Sequence, residues 1–288
     1  MVYNKCMQIL IAEHSGFCEG VERAYKIAIE QAQAGRPVFM LGNLVHNSQV
    51  VERLGHQGIK TVNSISDIPK NTKGILLISA HGVVPEIYEE AKTNGLEVVD
   101  TTCPWVKNAQ RLAKEISAKG LKVLIIGDKD HPEVKGILGW AGGQGVIVQN
   151  IEDLKVIDGK VFEKGIGIVA QTTQSQENFD AIVDYVSSKS SNLVVHKTIC
   201  GATSKRQTAA IEIAKKVDIM LVVGDQKSAN TKRLAELCSK TGTETHHIQT
   251  QSELRKEWLF GKGKIGITAG ASTPEWVVSE IINLLQAI

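Results

Sequence analysis

The sequence has almost no net charge and no long apolar run. Its 33 Lys and Arg residues nearly balance its 31 Asp and Glu residues, which leaves a formal net charge of +2. Such a small excess gives no reason to expect binding to nucleic acid or to an anionic membrane. The first apolar run, residues 7–12, is too short for a signal-peptide core or a membrane span. We therefore expect a cytoplasmic protein that binds neither nucleic acid nor membranes.

Cysteine is scarce as well, and its spacing argues against two common uses. The 288 residues contain five cysteines. They are odd in number and widely spaced, unlike those of a secreted disulfide framework or the close pairs of a zinc ribbon. In a reducing compartment such cysteines are free thiols or metal ligands.

Nucleotide-binding loops are missing too. No segment fits the Walker A pattern. Residues 261–266 and 165–170 fit the glycine pattern of dinucleotide-binding sites. Both run into or through a predicted strand instead of following a strand and opening a helix, so we reject both matches.

What the sequence does contain is a threefold repeat. From each of Cys18, Cys103 and Cys200 it is 24 residues to a glycine and 28 residues to a polar side chain. A short apolar run predicted to be a buried strand precedes each glycine, at residues 38–41, 123–126 and 220–223. Self-similarity at a fixed spacing is the signature of a repeated unit. We place the three units at residues 1–100, 101–196 and 197–288.

The pattern within each unit predicts an α/β fold. Short runs rich in Val and Ile alternate with helical patterns, which is typical of mostly parallel sheets covered by helices. A strand is predicted before each repeat cysteine, at residues 8–12, 98–99 and 193–195. Polar loops follow other strands, and the carboxyl ends of parallel strands are where open α/β sheets place ligands. We therefore predict three similar α/β lobes in a pseudo-threefold arrangement around a central cavity.

Each repeat cysteine is predicted to begin a helix. Pro104 suits a first helical turn, which puts Cys103 at the N-cap, and a helix N-terminus stabilises a thiolate. One cysteine per unit suggests three thiolates that converge on one centre, either zinc or an iron–sulfur cluster. A role in packing alone is the alternative. Cys6 and Cys238 lie outside the repeat, and Cys238 falls in a helical run that we expect in the core.

The loops after the strands carry hydrogen-bond donors suited to an anion. Imidazole, hydroxyl and amide groups, with helix N-terminal amides, can bind a phosphate without Lys or Arg. A metal site of three histidines and a carboxylate is a competing interpretation. The loop residues are His46, His81, His131, Thr172, Ser228, Asn230 and Ser272.

Glu133 has two interpretations. It follows Pro132, which is a good first helical residue, so Glu133 is expected in the first turn of a helix. There it is either a surface residue that complements the helix dipole or a proton donor directed at the cavity. General acid catalysis would require a carboxyl that keeps its proton near neutral pH, which burial promotes.

At these positions the chain closely resembles the 4-hydroxy-3-methylbut-2-enyl diphosphate reductase family, which catalyses the last step of the methylerythritol phosphate route to isoprenoids. The matching segments span nearly the whole chain in family order, and together they are highly specific. They are Gly16-Phe17-Cys18, Val45-His46-Asn47, Ser79-Ala80-His81-Gly82, Thr102-Cys103-Pro104, His131-Pro132-Glu133-Val134, Gln171-Thr172-Thr173, Ile199-Cys200, Ser228-Ala229-Asn230 and Ala269-Gly270-Ala271-Ser272.

The resemblance implies a cofactor, a substrate and residue roles. It implies a [4Fe-4S] cluster on Cys18, Cys103 and Cys200, with the fourth iron open to the substrate hydroxyl. Glu133 would supply protons, Thr172 would lie near that hydroxyl, and His131 would complete the catalytic group. The residues that would hold the diphosphate are His46, His81, His131, Ser228, Asn230 and Ser272. Some family members have a second serine where this chain has Ala229, so one hydroxyl contact is missing here.

The implied reaction is a reductive dehydroxylation. Two electrons and two protons remove the allylic hydroxyl as water and give isopentenyl and dimethylallyl diphosphate. A reduced protein of the ferredoxin or flavodoxin type would supply the electrons. Two other classes stay open at this point: a non-catalytic cluster protein, such as an electron carrier or redox sensor, and a hydro-lyase, which uses an open iron without net redox change.

Overall fold

Three four-stranded parallel sheets form the framework of the molecule. The structure, a computed structural model, describes residues 7–163 and 165–288. The strand orders are β3-β2-β4-β5, β7-β6-β8-β9 and β11-β10-β12-β1, and every pairing is parallel. The strands are β1 (Gln8–Ile11), β2 (Val38–Leu41), β3 (Ile59–Val62), β4 (Ile75–Ile78), β5 (Glu97–Asp100), β6 (Lys122–Ile126), β7 (Val146–Val148), β8 (Ile166–Ala170), β9 (Leu193–Val195), β10 (Ile219–Val223), β11 (Glu244–Ile248) and β12 (Lys264–Ala269).

Helices connect the strands, as parallel pairing requires. They are α1 (Glu19–Ala32), α2 (Ser48–His56), α3 (Glu86–Thr93), α4 (Pro104–Ala118), α5 (Pro132–Trp140), α6 (Ile151–Lys155), α7 (Gln176–Ser187), α8 (Gly201–Ala214), α9 (Ala229–Ser239) and α10 (Glu275–Gln286). Helix α4 shows why the sequence folds this way. Pro104 opens the helix, and its buried residues Val106, Ala109, Ala113 and Ile116 recur every three or four positions, so one stripe faces the core. None of the helices formed by residues 7–163 and 165–288 has the length and apolar character of a membrane span.

The predicted α/β class with parallel sheets is confirmed, but the opening strand was assigned to the wrong sheet. We expected residues 8–12 to open the first unit. Strand β1 instead pairs with β12, with Ile11 opposite Ile267. Strands β5 and β9, which also precede repeat cysteines, likewise pair with the sheet of the segment before them. The strand before each repeat cysteine therefore belongs to the sheet of the preceding repeat. For Cys18, the first repeat cysteine, that is the sheet of the last repeat, which contains β12. The division at residues 1–100, 101–196 and 197–288 stays a prediction. The strand pairing moves β1 from the sheet of the first of these units to that of the third.

The chain forms two compact units. The first contains the described residues up to Glu19, the short segment His46–Val50, and Gly201–Ile288. Its core lies between the sheet of β10 and β12 and the helices on both faces, with Leu221, Ile267 and Ile281 fully buried. The second contains Gly20–Val45 and Val51–Cys200, and it holds the other two sheets, each with its own buried apolar cluster.

The close approach of α4 to β8 gives a stability prediction. A Cβ atom at Gly167 would overlap the side chain of Ile116. We expect Gly167→Ala to lower the free energy of unfolding by about 1–3 kcal/mol, because overpacking forces side chains and backbone to shift. Gly55→Ala is the control, since Gly55 lies inside α2 with open space where a Cβ atom would stand, and alanine favours helix there. Chemical denaturation of both variants checks this, and equal stability of the Gly167 variant and the wild type would contradict it.

Candidate functional site

The three repeat cysteines are held by the same backbone contact. Each backbone N–H donates to the carbonyl of the residue two positions past the end of a central strand. Because the contact recurs in all three sheets, the three thiols occupy equivalent places. The pairs are Cys18 with Ala271 at 3.1 Å, Cys103 with Ala80 at 3.0 Å, and Cys200 with Thr172 at 3.0 Å.

The local structure at these cysteines suits thiolate chemistry. Each one immediately precedes a helix, as predicted: α1, α4 and α8 begin at the next residue. All three are partly buried and none forms a disulfide. The helix N-terminus favours the thiolate form, so the donor set fits an iron–sulfur cluster, whose usual ligands are thiolates.

The remaining cysteines do not share this setting. Cys238 is fully buried in the core, as predicted, beside the carbonyl of Ala210. Burial raises the pKa of its thiol to about 12, which makes it inert as a ligand or nucleophile. Cys6 lies outside the described residues.

Glu133 is a buried acid, so its interpretation as a surface residue was wrong. It lies in the first turn of α5 and is 2% exposed. Its Oε1 accepts the Thr172 backbone N–H at 2.6 Å, and its Oε2 lies 3.0 Å from the Thr172 hydroxyl. Burial raises the pKa of Glu133 to about 7, and the two contacts from Thr172 oppose the rise. The carboxyl therefore retains a proton near neutral pH, as a general acid must.

His131 and His81 lie beside this acid. His131 is the N-cap of α5, and its Nδ1 accepts the Glu133 backbone N–H at 3.1 Å. An accepting Nδ1 places the ring hydrogen on Nε2 in the neutral form, which leaves Nε2 as a donor. The ring of His81 meets that of His131 edge to face, with centroids 5.2 Å apart.

These contacts form one continuous series in the second unit. The backbone N–H of Cys200 donates a hydrogen bond to Thr172, the backbone N–H of Thr172 donates to the Glu133 carboxyl, and the backbone N–H of Glu133 donates to the His131 ring. The structure therefore brings together predicted site residues that are far apart in sequence.

In the first unit, Ser272 is the central contact. Its hydroxyl donates to the carbonyl of His46 at 2.9 Å and lies 3.4 Å from the hydroxyl of Ser228. Ser228 is the N-cap of α9, and its side chain accepts the Thr231 N–H. Burial lowers the pKa of His46, Asp225 opposes this, and Lys227 and Lys232 lower it further. The imidazole is thus a neutral donor or acceptor near neutral pH.

Asn230 carries a buried side-chain amide without a protein partner in the described residues. The residue is 4% exposed, and neither its Oδ1 nor its Nδ2 has a hydrogen-bond partner in the described part of the chain. Leaving a buried polar group unpaired costs about 1–3 kcal/mol. A bound molecule with polar oxygens would supply the missing partner, which fits the predicted role of Asn230 in anion binding.

Two residues at the site were not predicted. Gln171 is buried, and its Oε1 accepts the Asp128 N–H at 3.0 Å, which ties the loop after β8 to the loop before α5. Asp225 is buried and accepts the Ser48 N–H at 3.0 Å. The repeat carries a signal for both contacts, because Asp128 and Asp225 each follow a repeat glycine.

Known proteins are similar to this sequence over almost its whole length. A family model described as LytB protein matches residues 9–286. The 4-hydroxy-3-methylbut-2-enyl diphosphate reductase of Geobacter sp. (strain M21) is 42% identical over 282 residues, which cover 98% of each chain. The protein of the same name from Geobacter sulfurreducens is 43% identical over 280 residues, which cover 97% of each chain.

Solved structures share the fold. The E-1-hydroxy-2-methyl-but-2-enyl-4-diphosphate reductase of Plasmodium falciparum is similar with a TM-score of 0.91 and 30% identity, over 97% of this chain and 88% of that chain. A second structure, of (E)-4-hydroxy-3-methyl-but-2-enyl diphosphate reductase, the terminal enzyme of the non-mevalonate pathway, has a TM-score of 0.69 and 37% identity, over 98% of this chain and all 100% of that chain.

Proposed function

The chain belongs to the LytB protein family, and from that premise we propose how its own residues carry out the reaction. The protein is an oxidoreductase of isoprenoid biosynthesis that reduces 4-hydroxy-3-methylbut-2-enyl diphosphate to isopentenyl and dimethylallyl diphosphate. The function predicted from sequence is thereby confirmed, and the alternative of a non-catalytic cluster protein is excluded. The roles of single residues are the proposal.

Cys18, Cys103 and Cys200 would hold the [4Fe-4S] cluster of this iron–sulfur enzyme. Their shared backbone anchor and helix N-termini support that assignment. When bound, the cluster supplies electrons and, at an iron without a protein ligand, a Lewis acid for the substrate hydroxyl. A reduced ferredoxin or flavodoxin type of protein would deliver the electrons.

The diphosphate would be bound mainly by neutral donors. In the first unit these are His46, Ser228, Asn230 and Ser272, and the unpaired amide of Asn230 supports the assignment. His81 and the Nε2 of His131 are the other donors that the resemblance implies. Helix N-terminal amides at α9 add to the attraction. Ala229 is the first residue of that helix, so its backbone N–H can serve although its side chain has no hydroxyl.

Glu133 and Thr172 would deliver the proton. A protonated Glu133 can donate from Oε2 to the Thr172 hydroxyl 3.0 Å away. That hydroxyl can in turn donate to the oxygen that leaves the substrate, because hydroxide is a poor leaving group and protonation assists it. The Thr172 backbone N–H keeps Oε1 in place during the transfer. The observation that carries this proposal is the direct hydrogen bonding of a buried carboxyl, that of Glu133, to Thr172, the residue that anchors Cys200.

An anaerobic assay separates this reaction from a hydro-lyase reaction. The reconstituted enzyme is mixed with the allylic alcohol diphosphate, with and without a chemical reductant, and products are identified by mass spectrometry. We expect loss of the hydroxyl only with the reductant. Turnover without added electrons would overturn the reductase assignment and favour the hydro-lyase.

Thr172→Val gives a test of the proton path through pH. Valine has nearly the same shape but lacks the hydroxyl that lowers the pKa of Glu133. The pKa of Glu133 should therefore rise, and the pH above which the rate falls should move upward. The maximal rate should fall as well, since the relay hydroxyl is gone. A kcat profile against pH checks both effects. An unchanged profile would mean that Thr172 and Glu133 are not on the proton path.

A further inference from the structure

A short segment of the chain is attached to a unit that is otherwise built from distant sequence. His46–Val50 belongs to the first unit, whereas the residues on both sides of it, Gly20–Val45 and Val51–Cys200, belong to the second. This segment contains His46, a proposed diphosphate ligand, and the first turn of α2. Side-chain hydrogen bonds connect this segment to the rest of the first unit.

Three side chains hold the segment, each from the loop after a different strand of one sheet. Ser272, after β12, donates to the carbonyl of His46 at 2.9 Å. Asp225, after β10, accepts the Ser48 backbone N–H on Oδ2 at 3.0 Å. Gln249, after β11, donates from Nε2 to the Ser48 hydroxyl at 2.7 Å. Two of these contacts are to Ser48, two residues beyond His46, and the third is to His46 itself.

Asp225 is the strongest of these contacts. Its side chain is buried, at 6% exposure, and its second oxygen, Oδ1, accepts the Lys227 backbone N–H at 2.8 Å. One carboxylate thus joins the start of α2 to the loop that leads to Ser228. Hydrogen bonds to an ionised carboxylate are roughly twice as strong as neutral ones. The helix N-terminus at Ser48 also favours a negative charge.

We propose that Asp225 is a positioning residue for diphosphate binding, because it fixes His46 relative to Ser228. The inference rests on the proposed role of these two residues as diphosphate ligands. Asp225 itself does not contact the substrate in this scheme. It acts by keeping two donors on separate segments at a constant separation, so that substrate binding need not order them.

The direction in which the affinity for an anion changes distinguishes a positioning role of Asp225 from a direct electrostatic effect of its charge. Asp225 carries a negative charge near a site for an anion, so removing that charge should by Coulomb's law alone tighten anion binding. If Asp225 acts by positioning, its removal should instead weaken binding. The two effects predict opposite changes in the same measurement.

Asp225→Asn is the test, with Asp128→Asn as the matched control. Asp128 follows the repeat glycine of the second unit, and its side chain accepts the Asp130 backbone N–H in its own loop. In the cluster-loaded enzyme we expect Asp225→Asn to raise KM and the Kd for inorganic pyrophosphate about tenfold, with kcat and iron content within twofold of the wild type. Asp128→Asn should leave both constants within twofold. Steady-state kinetics and calorimetry with pyrophosphate measure these values.

Three outcomes overturn the proposal: tighter pyrophosphate binding, unchanged binding, or equal weakening in both variants. If Asp225→Asn does not fold, Gln249→Ala decides, because it removes another contact to Ser48 without changing charge. A KM unchanged in Gln249→Ala would then refute positioning.

His46→Ala separates failure of the positioning inference from failure of the proposed function. If His46→Ala binds pyrophosphate normally, the diphosphate assignment itself is wrong; if it binds weakly while Asp225→Asn binds normally, only the positioning inference is wrong.

Discussion

Cys103→Ser should lose the iron–sulfur cluster and the reductase activity together. Serine keeps the size of the side chain and is a good N-cap, so α4 should still begin at Pro104. The Cys103 N–H that bonds to Ala80 is also unaffected. What is lost is the soft thiolate, which iron–sulfur clusters require. The wild type, prepared without oxygen, should contain about four irons per chain, and the variant far fewer, with activity at the background of the assay.

The control for this experiment is Cys238→Ala. Cys238 is buried in the core near the C-terminal end of α9, and burial raises the pKa of its thiol to about 12. The control should therefore keep its iron and its activity, with a small loss of stability from the missing sulfur. Iron and sulfide analysis of both variants decides the matter. A Cys103→Ser protein with full iron content and full activity would remove Cys103 from the ligand set.

Glu133→Gln should retain the cluster and substrate binding but lose most turnover. Glutamine has the same shape, and its carbonyl oxygen can still accept the Thr172 N–H that Glu133 accepts at 2.6 Å. It cannot release a proton. General acid catalysis contributes roughly 10²- to 10⁴-fold to a rate, so we expect kcat to fall by an amount in that range while iron content and pyrophosphate affinity stay unchanged.

The pH dependence of kcat provides a second measure of the same role. Burial raises the pKa of Glu133 to about 7. The protonated, active form is therefore present below that pH and is lost as the pH rises through it. The wild-type rate should fall above about pH 7, and the Gln variant should show no such decline. Glu275→Gln, in the exposed first turn of α10, is the control and should behave as the wild type. A Glu133→Gln enzyme with normal kcat would take Glu133 off the proton path.

Local sequence was sufficient for the features that depend on neighbours in the chain. The central strands were predicted at residues 38–41, 123–126 and 220–223 and are observed as Val38–Leu41, Lys122–Ile126 and Ile219–Val223. The helices that begin after the three cysteines were predicted as well, the one after Cys103 from the adjacent Pro104. These features follow from periodicity and capping, which act over a few residues.

The features that local sequence could not decide depend on distant partners. Glu133 remained ambiguous because the hydrogen bonds of its carboxyl come from Thr172, which lies 39 residues away. Asp225 was missed because its partner Ser48 is 177 residues away. The assignment of β1 was wrong for the same reason, since Ile11 pairs with Ile267 and no pattern near Ile11 indicates that strand.

The pairing of β1 with β12 has a consequence for biosynthesis. Strand β1 is translated long before its partner, Lys264–Ala269. The backbone anchor of Cys18 needs the carbonyl of Ala271, so it cannot form on a ribosome that has not yet translated this residue. Contacts this remote in sequence also close slowly. We therefore expect the iron donor of the cell to meet a polypeptide that already extends past Ala271, and a chain truncated before residue 264 to accept no intact cluster.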